Sequence, residues 1–225
     1  MSSLRRMIKK TLIHFGLYDP GSKGRHAWVG NIELSDMKRQ FQISFLKDFG
    51  LLPEHRLLDL GCGTLRGGIP IIQYLNAGNY CGIDVQAKAL AEARKELSEN
   101  NLDNKSVLLL DAKSAATQLE NTRFDYIWAF SVLIHIDDDK LDDTMRFASE
   151  HLAGNGVFYG NVNIGEREDG EWLGFPVVTR PLSLYEDTAS QNGLKLDVVG
   201  TLHSLGHISG KQKQDQQMML RFTHL

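Results

Sequence analysis

The sequence predicts an α/β fold with a doubly wound, mostly parallel sheet, and three observations carry that prediction. Leu57, Leu58 and Leu60 form a short apolar run, as a strand buried on both faces shows. Gly61 and Gly63 follow at once, and the pattern then changes to Ile69, Ile71, Ile72 and Leu75 at helical spacing. Strand, glycine turn and helix make the first half of a βαβ unit, and the turn between them is a ligand site. The same alternation then repeats, giving β/α repeats closed by one further, hairpin-like strand. A chain of 225 residues, 42% of them hydrophobic, buries a full core as one compact unit.

Residues 1–50 precede this unit and read as an N-terminal helical cap and substrate segment. Over residues 3–18, Leu4, Met7, Ile8, Leu12 and Phe15 fall on one stripe, with Arg5, Arg6, Lys9 and Lys10 off it. Such a helix packs on the domain over its cleft, lies on an anionic membrane surface, or binds a partner. A Pro/Gly turn at Asp19 to Gly24 leads into a polar, aromatic loop with Arg25, His26, Trp28 and Asn31. Loops of this composition contact substrate or simply cross the surface with the tryptophan as anchor. Ser35 is the expected N-cap of a helix carrying Met37, Phe41, Phe45, Leu46 and Phe49, ended by Gly50.

Residues 51–225 form the main domain. The second strand, Asn79 to Val85, carries Asp84 at its carboxyl end, roughly twenty residues past the glycines, where a ribose-binding acid stands. A carboxylate there accepts both ribose hydroxyls through charge-assisted bonds; its plainer role is a helix N-cap. Ala87 to Leu97 is an alanine-rich helix. Ser106 to Leu110 is the third strand, ending in Asp111 and Ala112, and Phe124 to Ala129 is the fourth. The fourth opens into Phe130, Ser131 and Val132, with His135 just beyond. Asp137 to Asp139 cap a helix running to His151, where acids suit the positive helix end. Leu152 to Gly156 reads as a turn before the fifth strand, Val157 to Asn163. The polar stretch Ile164 to Arg180, with Trp172, reads as an irregular lid or substrate insertion. A helix from Leu182 to Asn192, capped by Gly193, and a sixth strand, Leu194 to Val199, follow. A long solvated loop, His203 to Lys213 with His207, leads to the last strand, Gln216 to Phe222.

Asp59 decides what the glycine turn binds. A carboxylate immediately before the glycines repels a pyrophosphate and welcomes a cationic head. Leu65 and Arg66 also stand where a dinucleotide pattern wants glycine. At these residues the chain resembles the class I S-adenosylmethionine-dependent methyltransferases, whose first motif reads acid-x-Gly-x-Gly-x-Gly. Asp59, Gly61 and Gly63 match it, and Leu65 departs from the third glycine. The resemblance runs from about Leu52 to Phe222. It implies a seven-stranded Rossmann-like sheet with the last strand antiparallel, and S-adenosylmethionine as cofactor. It also implies a binding set: Asp59, Gly61, Cys62, Gly63, Thr64 and Arg66 at the turn, Asp84 and Val85 at the ribose, Asp111 and Ala112 at the adenine, and Phe130 and Ser131 at the methionine end. The expected substrate-facing residues are His26, Trp28, Asn161, Trp172 and His207.

The implied chemistry is in-line displacement at the sulfonium methyl, where catalysis is mostly positioning. A hydroxyl acceptor also needs a base, and His135 is the candidate because an imidazole titrates in the working range. Its plainer role is packing beside the cofactor. His207, His26 and His203 are lesser candidates. The expected acceptor is a small-molecule hydroxyl, on a sugar or natural product. The alternatives are N-methyl transfer, or a cofactor-binding scaffold or partner subunit without transfer activity. A nicotinamide-dependent oxidoreductase is disfavoured by Asp59.

Composition narrows the rest. A formal charge of -3, from 25 basic and 28 acidic residues, argues against a broad nucleic-acid-binding face. Cys62 and Cys81 lie in the glycine turn and the next strand, where a disulfide would tether the site. Reduced thiols and a cytoplasmic location are therefore expected. No Cys/His spacing suggests zinc, no apolar run is long enough to span a bilayer, and no signal peptide is visible.

Overall fold

The structure is a computed structural model that describes residues 34–225. The expected helix over residues 3–18 and the loop with His26 and Trp28 lie outside the described residues.

Helix α1 (Ser35–Asp48) opens the described chain. Its stripe of Phe41, Phe45 and Leu46 is buried in one core cluster with Leu57, Leu65 and Trp128. Ser35 is the first helical residue and not the cap; the cap position is Leu34, which makes no side-chain capping bond. Burial of the apolar stripe, more than a cap, therefore holds this helix. The chain continues through β1 (Leu57–Leu60), α2 (Gly68–Tyr74), β2 (Tyr80–Asp84), α3 (Ala87–Glu99), β3 (Leu108–Asp111), α4 (Ala112–Gln118) and β4 (Phe124–Ala129). It goes on through α5 (Asp138–His151), β5 (Leu152–Val162), β6 (Gly170–Trp172), β7 (Phe175–Val177) and α6 (Leu182–Gln191). The last elements are β8 (Leu194–Thr201), the short α7 (Gln212–Asp215) and β9 (Met218–His224).

Seven strands form one sheet in the order β3-β2-β1-β4-β5-β9-β8. Strands β1 to β5 pair in parallel, and β9 runs antiparallel to both β5 and β8. This is the expected doubly wound sheet with its last strand antiparallel. Side chains alternate between faces along a strand. Leu57 and Trp128 accordingly enter the core on one face, and Leu58, Leu60 and Ile127 enter the core on the other. Both faces are covered, so β1 and β4 are apolar apart from Asp59 and Asp125. Strand order reverses at β1, between β2 and β4, and this opens a crevice at the strands' carboxyl ends.

Several segments differ from their sequence reading. Ser106 adopts a left-handed φ of 51° after a short turn, so the third strand begins only at Leu108. The expected turn at Leu152 to Gly156 is part of β5: Leu152 pairs with Phe124 and Val157 with Tyr126, and the register shift between them absorbs the glycines. The insertion 164–180 is irregular only in part, over residues 165–169 and 178–179. It folds as the β6–β7 hairpin, closed at its base by a bridge between Ile164 and Arg180. The loop after β8 is not simply solvated: it contains α7, and Asp215 and Gln217 are buried.

Candidate functional site

A cleft of about 1390 Å³ opens at the carboxyl ends of β1, β2 and β4. It is walled by the glycine turn, the loop after β4, helix α1, the β6–β7 hairpin and the segment from His207 to Gln217. Among the expected site residues, Asp59, Gly61, Cys62, Arg66, Asp84, Val85, Ala112, Phe130, Ser131, His135, Trp172 and His207 line it.

The glycine turn is held tightly against β2. The N–H groups of Gly61 and Cys62 both donate to the Ile83 carbonyl, at 2.8 and 3.0 Å. Gly61 has φ 71°, and a Cβ there would sit 2.5 Å from Val132. Side-chain-free backbone is therefore required where the turn faces the loop after β4. Leu65, which replaces the motif's third glycine, also adopts a left-handed φ, 59°. Its side chain is wholly buried in the core. The turn keeps the backbone path of a glycine, and packing of the leucine offsets a strain of about 1–2 kcal/mol.

Asp84 is already engaged. Its Oδ2 accepts from Gly63 N at 2.9 Å and its Oδ1 from Gln86 N at 2.8 Å. The carboxylate thus bolts the glycine turn to the turn after β2. Burial pushes its pKa up, while these N–H donors pull it down. Asp59 is buried, and the Tyr80 hydroxyl donates to its Oδ2 at 2.5 Å. Burial pushes the Asp59 carboxyl up to about 7; the Tyr80 bond opposes this and the charge of Asp84 adds to it. Cys62 is no nucleophile, because burial and the neighbouring acids push its thiol well up. Thr64 is buried and, with Gly63, lies outside the cleft lining.

Two expected contacts are placed differently. Asp111 is exposed and outside the lining, and its Oδ1 accepts from Lys113 N and Ser114 N as the N-cap of α4. Asn161 is fully buried and does not reach the cleft. Its Oδ1 accepts from Ser131 N at 2.6 Å, and its Nδ2 donates to Gln217 Oε1 at 2.8 Å. Gln217 Nε2 in turn donates to Asn163, whose Nδ2 donates to the Val178 carbonyl. This amide chain fixes the loop after β4, where Ser131 holds φ 60°, against the base of the hairpin. Asn161 is a positioning residue.

His135 closes the cleft beneath the hairpin. Its Nδ1 lies 2.7 Å from the Pro176 carbonyl, and its ring stacks on Trp172 at 5.7 Å. Burial lowers its pKa, Pro176 opposes this, and Lys38 lowers it further. The hairpin is tied down by Val178 N donating to the Ile134 carbonyl, and by Arg180, which forks onto Asp169 and also reaches Asp138. His207, expected in a solvated loop, is buried, with Nδ1 3.0 Å from Asp215. Its Nε2 is buried with no partner among the described residues.

Sequence reasoning missed Tyr80, Pro176, Asp215 and Lys38. Lys38 carried a signal: it shares a helical face with Phe41, Gln42 and Phe45, and a cation on a buried face asks for a partner. Lys38 is 7% exposed, and burial, with Arg66 and Lys211 nearby, lowers its pKa to about 8. Arg66 is equally buried, and its Nε and Nη1 have no partner among the described residues. Among the described residues there is no group of three or more His, Cys, Asp or Glu able to hold a metal. No helix among them is long and apolar enough to cross a membrane.

These residues fit S-adenosylmethionine. The turn offers a cradle that a Cβ would fill, the buried acids suit a cationic head, and a buried guanidinium with two nitrogens lacking a partner among the described residues suits a carboxylate. Residues 58–158 match the family model of a methyltransferase domain. Solved structures share the fold. A magnesium protoporphyrin IX methyltransferase from Synechocystis PCC 6803 with bound SAH is 15% identical, covering 98% of this chain and 100% of that chain at TM-score 0.66. The CcbJ methyltransferase from Streptomyces caelestis is 14% identical, covering 87% and 91% at TM-score 0.63. The glycopeptide N-methyltransferase MtfA is 16% identical, covering 84% and 90% at TM-score 0.61. The matched span starts in the strand carrying Asp59 and ends in β5, so the glycine turn, Asp84 and the loop after β4 all lie in the part of the chain that is similar to a methyltransferase domain.

Proposed function

We propose that the chain methylates a hydroxyl of a small-molecule acceptor, a sugar or natural product, with His135 as the base. One observation carries this reading. The group facing His135 Nδ1 is a carbonyl, which only accepts, so Nδ1 carries the proton and Nε2 carries the lone pair. Burial keeps the ring neutral near pH 7, ready to take a hydroxyl proton. The cofactor, when bound, supplies a methyl on a sulfonium, already a good leaving group. The chain's own residues do the remainder. Asp59 and Asp84 favour a cationic, hydroxylated ligand, and Arg66 is placed to hold its carboxylate. Phe130 and Ser131, set by Asn161, shape the wall beside the transferred group, and Trp172 with the hairpin excludes water from His135.

His135→Ala should lower turnover by about 10²–10⁴-fold with cofactor affinity unchanged, read as S-adenosylhomocysteine formed with a panel of hydroxylated acceptors. Wild-type turnover should fall on acidification, as the imidazole protonates. A loss of only a few-fold with the pH profile intact would reduce His135 to a packing residue and favour an amine acceptor. No cofactor turnover with any acceptor would favour the scaffold reading.

A further inference from the structure

Lys38 has no role in that scheme, and its environment demands one. Helix α1 packs its Phe41 and Phe45 face onto the sheet, and Lys38, one turn earlier on that face, is buried and lines the cleft wall. No described acid lies within ion-pair distance of it. The acid that acts on it electrostatically, Asp215, is engaged by His207 and by Ser209, whose N and Oγ donate at 2.9 and 2.6 Å. A second lysine, the exposed Lys211, lines the rim of the same cleft. His207 Nε2, also on this wall, is buried without a partner among the described residues, as are two Arg66 nitrogens, Asp137 Oδ1 and Gln214 Oε1 of the cleft lining. Buried charges are paired in folded proteins, and a buried polar atom left unpartnered costs about 1–3 kcal/mol. Among the described residues none supplies the counter-charge, and an anionic ligand in the cleft would supply it.

The cofactor brings one carboxylate, and Arg66, three residues past Gly63 in the same turn, stands to receive it. Lys38 stands near Arg66 and Lys211, and its charge also acts on both His135 and His207. We infer that Lys38, with Lys211 at the rim and His207 beside it, binds an anionic group on the acceptor, a carboxylate or phosphate. The acceptor is then an acidic small molecule whose anion anchors it while its hydroxyl meets His135. The word acceptor rests on the methyl-transfer reading; the anion site itself does not.

Inorganic sulfate is the probe, titrated calorimetrically into the full chain in low-salt buffer, with and without saturating S-adenosylhomocysteine. Sulfate should bind with S-adenosylhomocysteine in place. Lys38→Met should weaken sulfate at least tenfold while leaving S-adenosylhomocysteine affinity within about twofold. Competition between sulfate and S-adenosylhomocysteine would assign Lys38 to the cofactor's carboxylate and overturn the inference. Sulfate binding to Lys38→Met as tight as to wild type would mean an adventitious ion only. Should Lys38→Met not fold, Lys211→Met, at an exposed position, carries the test, with a loss of about threefold expected and none overturning it. If S-adenosylhomocysteine itself fails to bind, the methyl-transfer reading falls, while the sulfate titrations still judge the anion site.

Discussion

Replacing Asp84 tests whether the site is held together by the residue expected merely to bind ligand. Asp84→Ala removes the acceptor for Gly63 N and for Gln86 N, and Gly63 is buried. A hydrogen bond to a charged group contributes about 1.5–3 kcal/mol. Water reaches the half-buried Gln86 more easily than Gly63, and the variant is also relieved of a desolvated charge. The net loss is therefore set at about 2–4 kcal/mol, not the full sum of two bonds. Each kcal/mol moves the midpoint of a domain this size by about 2–4 °C, so the expected fall is about 5–15 °C. Asp84→Asn, which keeps one acceptor oxygen, should lose about half as much. Trp128, fully buried beside β1, reports unfolding by fluorescence in urea. Cofactor affinity should fall as well, but in the folded variant. A midpoint within about 0.5 kcal/mol of wild type at unchanged m-value would show that the two N–H groups do not depend on Asp84.

Asp59 makes stability pH-dependent. Its carboxyl titrates near 7 in the folded protein and at about 3.9 when unfolded, so between those values the folded state holds the extra proton and stability falls as pH rises. Asp59→Asn, which cannot titrate, should flatten urea midpoints measured from pH 5 to 8; equal slopes for both proteins would contradict the burial argument. Arg180→Gln removes the clamp onto Asp169 and Asp138. Amide exchange over residues 170–177 should then speed up and turnover fall, through the loosened Pro176 contact to His135; unchanged exchange would mean that the backbone bonds alone hold the hairpin. Leu65→Gly relieves about 1–2 kcal/mol of backbone strain but empties a buried site worth about 2–5 kcal/mol. A net destabilisation is expected by thermal melting, and a more stable variant would mean that the leucine is there for another reason.

The sheet was readable from the chain because its strands are buried on both faces. Phe124–Ala129 and Leu57–Leu60 are apolar apart from Asp125 and Asp59, and the switch to helical spacing after Gly63 is abrupt. The glycine turn and the place of Asp84 were readable for the same local reason: each is set by a few consecutive residues. Segments whose conformation depends on distant partners were not. The hairpin within 164–180 is closed by pairing across its own ends and by Ile134, and the extra residues of β5 are absorbed by a register shift against β4.

The site divides along the same line. Local sequence determined the kind of ligand, because the acid before the glycines and the backbone geometry of the turn are consecutive in the chain. The tertiary structure decided the state of each group. Parallel pairing of β1 with β2 brings the Tyr80 hydroxyl to Asp59, which sets how readily that acid ionises. Helix α4 claims Asp111 as its cap. The amide chain from Asn161 takes that residue out of the cleft, and Asp215 converts a loop histidine into a buried, oriented one. Hydrogen bonds and burial act over a few ångströms in space, whatever the separation along the chain. The residue types were therefore visible in the sequence, but their partners, protonation and exposure existed only once the fold had brought them together.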